Sequence, residues 1–129
     1  MVSAFREIDV LNDLYTEDSP SEVNLKRLAQ LLQVEQKALA EAFDISEAAL
    51  SKKPYAPHNM ALKQWLAIFN LIIRIISESE PTLTPEAIKV KMQRWLKLPR
   101  PEFDNQSAID FMLKGKARRV INILEQLST

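Results

Sequence analysis

The chain has 129 residues, 47% apolar and 26% charged, and its 17 basic and 17 acidic side chains cancel. That length supports one core, or two small helical lobes sharing one, and is too short for two independent enzymatic domains. A cancelled net charge leaves no global field drawing the protein to nucleic acid, so any such attraction is local, and the absence of Cys removes disulfides, thiolate nucleophiles and Cys-type zinc sites.

The charges are unevenly spread. Residues 1–24 hold Arg6 against six acids, residues 25–76 hold seven bases against four acids, and residues 77–129 hold nine against seven. The opening MVSAFREIDVLNDLY has no basic start followed by an unbroken apolar run, so no signal peptide is expected and the expected location is cytoplasmic. One Gly against seven Pro predicts an all-α fold, because tight hairpins lean on Gly at positive φ and helix interiors exclude it.

In chain order, Phe5, Ile8, Leu11, Leu14 and Tyr15 recur at three and four and predict a short amphipathic helix that ends before the polar TEDSPSE. Leu25, Leu28, Ala29, Leu31 and Leu32 form a second stripe, and Ala38, Leu39, Ala42 and Phe43 a third. The break between them, near residues 33–35, shows only as a change of phase. Asp44-Ile45-Ser46 then reads as a turn, with Ser46 an N-cap and Glu47 in the first turn of a new short helix that Pro54 and Pro57 stop soon after Lys53.

Residues 60–76, MALKQWLAIFNLIIRII, approach membrane length but carry Lys63, Gln64, Asn70 and Arg74, each costly in hydrocarbon, and so predict a buried helix. It is apolar on more than one face, which points to cover by the C-terminal part or by a second subunit. Residues 77–81 predict a polar break. Thr84-Pro85-Glu86 opens the next helix, with Ile88, Met92, Trp95 and Leu96 inward, and Pro99 and Pro101 close it. Ser107 and Asp110 predict a capping box over Ile109, Phe111, Met112 and Leu113, ended by Gly115 as a left-handed C′ residue. The last helix carries Val120, Ile121, Ile123, Leu124 and Leu127 inward and Lys116, Arg118 and Arg119 outward.

Catalytic inventories are short. The lone His58 sits in a Pro-flanked loop with no nucleophile or orienting acid at a telling spacing, and one Gly cannot build a phosphate loop. The acid pairs Glu78/Glu80 and Glu102/Asp104 read as solvated loop charges. No enzyme, cofactor or metal is expected.

Residues 36–53 suit a helix-turn-helix: a small residue beside Leu39, Phe43 near the turn, Ile45 and Leu50 beyond it, and a capped second helix. The same residues also suit a generic helical hairpin. Asp44 stands where a Gly is usual and Lys53 where an apolar residue is usual. If the element reads DNA, it does so with Ser46, Glu47, Ala48, Ser51, Lys52 and Lys53, with Gln36 anchoring phosphate at the preceding helix start.

LKRLAQLLQVEQKALAEAFDISEAALSK resembles the Xre-type helix-turn-helix, and the chain over residues 25–127 is similar to the Xre/MbcA/ParS antitoxin family. The C-terminal match is carried by Trp95, Leu96 and Pro99 of a Trp-Leu-x-x-Pro signature, then Phe103, Ser107, Met112, Gly115, Val120 and Leu124. A Gly often found before the position of Ser107 is missing. The resemblance implies an Xre-like lobe, a long linking helix and a small helical toxin-binding lobe, divided as residues 1–24, 25–76 and 77–129. It implies an antitoxin of a type II pair, a homodimer that binds its own operator and neutralises a Res- or ParT-like toxin that consumes NAD or transfers ADP-ribose. Toxin contacts are expected from Arg100, Lys114, Gly115, Lys116, Arg118 and Arg119 and from the end Leu127, Ser128 and Thr129, since cations suit a cleft that holds NAD phosphates. The alternative is a protein-interaction module of the same fold that does not bind DNA.

Overall fold

The computed structural model describes Val10, Leu11, Leu14, residues 23–52 and residues 60–127. Its helices are α1 (Leu25–Leu32), α2 (Gln36–Ala42), α3 (Glu47–Lys52), α4 (Met60–Ser79), α5 (Pro85–Lys97), α6 (Ala108–Leu113) and α7 (Ala117–Leu127), with a 3-10 turn at Pro101–Phe103. The described residues contain no β-strand; bridge pairing is confined to Val23 and Asn24 and to the isolated pair Arg100 and Gln106. The expected all-α class holds.

Local chemistry sets the boundaries. Asn24 caps α1, its side chain accepting from the Lys26 and Arg27 N–H groups at 3.0 and 3.2 Å. The stripe from Leu25 to Leu32 is buried as its spacing predicts. The α1–α2 break has no Gly or Pro: Gln33 itself turns left-handed at φ 57, and its N–H reaches back to the Gln30 carbonyl at 3.2 Å. Thr84 caps α5 by accepting from Ala87 N–H at 3.2 Å.

The polar break expected at residues 77–81 begins later, because α4 runs on to Ser79. Ser77-Glu78-Ser79 contains no residue that breaks a helix, whereas Pro81 disfavours the helical conformation at Glu80. Of the first expected helix, Val10, Leu11 and Leu14 are buried in the core, and Phe5, Ile8 and Tyr15 lie outside the described residues.

One buried cluster joins all the helices. By length and composition α4 matches a membrane-crossing helix, but Leu62, Trp65, Ile68, Phe69, Ile72 and Ile73 are buried inside the protein while Lys63, Asn70 and Arg74 face out. Helix α4 packs against α5 and α7, α1 against α5, and α2 against α6. An aromatic contact sits within each half: Phe43 meets Trp65 with centroids 4.9 Å apart, and Phe103 meets Phe111 at 5.0 Å. Across the α1–α5 seam, Gln93 donates to the Leu31 carbonyl at 2.8 Å and Lys97 to the Gln33 side chain. The hairpin and the C-terminal helices therefore share one interior.

Candidate functional site

The α2–α3 hairpin is held from below. Leu39, Ala40, Phe43 and Leu50 are buried, and Ile45 packs half-buried against the same cluster. The small side chain of Ala40 stands beside the turn, and its carbonyl accepts the Ile45 N–H at 3.0 Å. Asp44 has φ 58. This is the left-handed conformation for which Gly is usual, and a short polar side chain tolerates it better than most. Ser46 caps α3, accepting from Ala49 N–H at 3.0 Å.

That burial leaves one face outward. Gln36, Ser46, Glu47, Ala48, Ser51 and Lys52 are all exposed, while Lys53 lies outside the described residues, as does His58. The exposed face is small-residue and short-chain, shaped to let backbone approach a surface closely. Its charges oppose that approach: Glu35, Glu41, Asp44 and Glu47 are exposed against Lys37 and Lys52.

The second cluster surrounds the 3-10 turn and the α6–α7 junction. Ser107 and Asp110 form the expected capping box, Asp110 N–H reaching Ser107 Oγ at 3.1 Å and Ser107 N–H reaching Asp110 Oδ2 at 3.3 Å. At the other end of α6, Gly115 has φ 79. Its N–H reaches the Met112 carbonyl at 3.1 Å and the Lys116 N–H the Phe111 carbonyl at 2.8 Å. These are the paired bonds of a Schellman motif. Before Ser107, Asp104 and Asn105 lie at φ 55 and 64, both in the left-handed region.

This framework gathers four of the expected cations. The Arg100 guanidinium lies 4.8 Å from the Trp95 ring centroid, and Lys116 and Arg119 lie 5.5 and 5.1 Å from that of Phe111. Lys114 donates to the Gln106 side chain at 2.6 Å, and Arg119 to the Glu102 carbonyl at 3.1 Å. Residue spacing alone did not show this platform. Phe111 and Arg119 sit on different helices, and only the Gly115 stop folds one over the other. Acids moderate the cluster, Glu102 pairing with Arg100 at 3.0 Å and Asp104 approaching Arg119 at 3.9 Å. The latter pair is exposed and worth at most about 1 kcal/mol. Glu80, expected as a solvated loop charge, instead pairs with Lys91.

Not every expected contact joins this face. Arg118 is exposed on α7, and Ser128 and Thr129 lie outside the described residues. Leu127, expected inward, is 54% exposed. It sits eight residues past Arg119, about 12 Å further along α7, and borders an apolar groove against α4 and α5. Leu98, the residue after the end of α5, borders the same groove and is 49% exposed. Trp95, also expected inward, is half-buried in that groove.

Comparison of the chain with protein-family models, with curated proteins and with solved structures finds no match, so the functional reading rests on the placement of these residues.

Proposed function

We propose that the protein is a non-catalytic antitoxin, which binds operator DNA through α2–α3 and neutralises a Res- or ParT-like, NAD-consuming or ADP-ribosylating toxin through its basic C-terminal face. The observation that carries the reading is the hairpin: the buried Leu39, Ala40 and Leu50, a left-handed Asp44 and a Ser46 cap leave Gln36, Ser46, Glu47, Ala48, Ser51 and Lys52 exposed. A single hairpin with so few cations binds weakly. The proposal therefore includes a homodimer, which sets two α3 helices against half-sites about one helical turn apart and converts two weak contacts into a useful affinity.

Some of the C-terminal residues that carry the Xre/MbcA/ParS resemblance have core or capping places, while Trp95 is half-buried and Pro99 exposed. Leu96, Phe103, Met112, Val120 and Leu124 are buried, Ser107 caps α6 and Gly115 ends it. Lys114, Lys116 and Arg119 stand beside that frame, positioned to meet phosphate oxygens or a carboxylate-lined cleft.

The four exposed acids around α2–α3 favour a second reading, a protein-interaction module of the same fold that does not bind DNA. The pair Lys52→Glu and Lys53→Glu separates the two. Under the antitoxin reading it abolishes a gel shift of the DNA upstream of the gene and leaves toxin neutralisation in co-expression intact. No shift from the unaltered protein selects the interaction module, and joint loss of both functions contradicts separable surfaces.

A further inference from the structure

We propose that the groove between α4, α5 and α7 is a docking site for an acidic amphipathic helix of a partner protein. Ile72, Ile75 and Ile76 of α4 form one wall, Trp95 of α5 and Leu98 just past its end another, and Leu124 and Leu127 of α7 the third; the groove encloses about 320 Å³. Each wall presents residues at helical spacing, so the trough matches the ridge of a fourth helix with apolar residues at i, i+3, i+4 and i+7. Leu98 and Leu127 are 49% and 54% exposed, and together they are two of the four large hydrophobics so exposed among the described residues. An apolar strip concentrated at one groove mouth marks an interaction surface more than a scattered pair would.

Charge selects the occupant. Among the described residues, the charged side chains lining the groove are Lys91 and Arg94, both cationic. Lys91 already holds a carboxylate, that of Glu80 at the end of α4, which shows the chemistry this rim accepts. A second copy docking by two-fold symmetry would bring two Arg94 guanidinium groups into one seam with no described acidic lining residue to answer them, an unfavourable arrangement. Val10, Leu11 and Leu14 of the chain's own N-terminal stretch are buried in the core and do not line the groove. A partner helix with acids flanking its apolar stripe satisfies both the hydrophobic walls and the rim.

The test uses the full chain and two synthetic fluorescein-labelled peptides, each with Leu at helical spacing, one flanked by Glu and one by Lys. In fluorescence anisotropy the Glu-flanked peptide binds saturably and at least about tenfold tighter than the Lys-flanked one. It also shifts the Trp95 indole N–H resonance. Arg94→Glu narrows or inverts the preference, Leu127→Asp weakens both peptides, and unchanged melting of the two variants shows that they fold. Equal affinity for both peptides, or a preference that Arg94→Glu leaves unaltered, overturns the proposal. So does sedimentation showing a dimer that Leu98→Asp dissociates and that excludes the peptide, since a second copy then fills the groove. The groove does not involve the α2–α3 face, so neither result bears on DNA binding.

Discussion

Replacing Gly115 by Ala isolates a backbone term with little else attached. Gly115 is at φ 79, and a Cβ built there meets nothing within 4 Å. No clash contributes, so the cost is the left-handed conformation itself, about 1–2 kcal/mol for a residue with a Cβ. Against it stands the lower entropy of the unfolded chain, which returns about 0.4–1 kcal/mol. The middles of the two ranges leave a net loss of about 0.8 kcal/mol. For a chain of this length about 1 kcal/mol moves the midpoint by roughly 4 °C, so Gly115→Ala melts about 3 °C lower by circular dichroism. Gly115→Asn falls between the two, because Asn tolerates this region better than Ala. An unchanged midpoint for Gly115→Ala removes the left-handed stop from the account. A loss beyond about 3 kcal/mol means that a side chain clashes there, against the open space around the Cα.

Three further substitutions probe the hairpin and the α6 frame. Leu50→Ala, at a fully buried position, costs about 2–5 kcal/mol in urea denaturation through the cavity it leaves; a loss under about 1 kcal/mol would mean that α3 is not docked on the core. Ser107→Ala removes the acceptor for the Asp110 N–H and costs about 1 kcal/mol, with Ser107→Thr recovering most of it; equal stability of all three proteins contradicts the cap. Asp44→Gly changes stability by less than about 1 kcal/mol, since relief of the left-handed strain and the added chain entropy oppose each other. It also removes an acid from the hairpin, so DNA affinity rises about two- to fivefold at low salt and the gain fades as salt is added; unchanged affinity at low salt argues that this turn does not approach DNA.

How much was legible in the sequence depended on whether a feature was local. The α1 stripe, the Thr84 cap, the Ser107–Asp110 box and the Gly115 stop each rest on residues within a few positions of one another, and all appear as their spacing implies. The α1–α2 turn was visible only as a phase change because Gln33 carries the positive φ with no Gly to announce it. Asp104 and Asn105 concealed another such turn in the same way. Features made by distant residues were not legible. Leu127 continues the apolar stripe of α7, yet it stays exposed at the groove mouth, which depends on how α4, α5 and α7 pack and not on spacing within α7. The packing of α2 on α6 and the cations over Phe111 likewise depend on how the helices cross.

Binding of the DNA upstream of the gene, followed by anisotropy over a series of salt concentrations, tests the central claim most directly. Two copies, each placing Lys52 and Lys53 against phosphates, give a log-log salt slope of about −4 and a clear preference over unrelated DNA of equal length. Lys52→Glu with Lys53→Glu removes that slope. Absence of binding at low salt, or equal binding to the unrelated DNA, contradicts a hairpin that reads an operator.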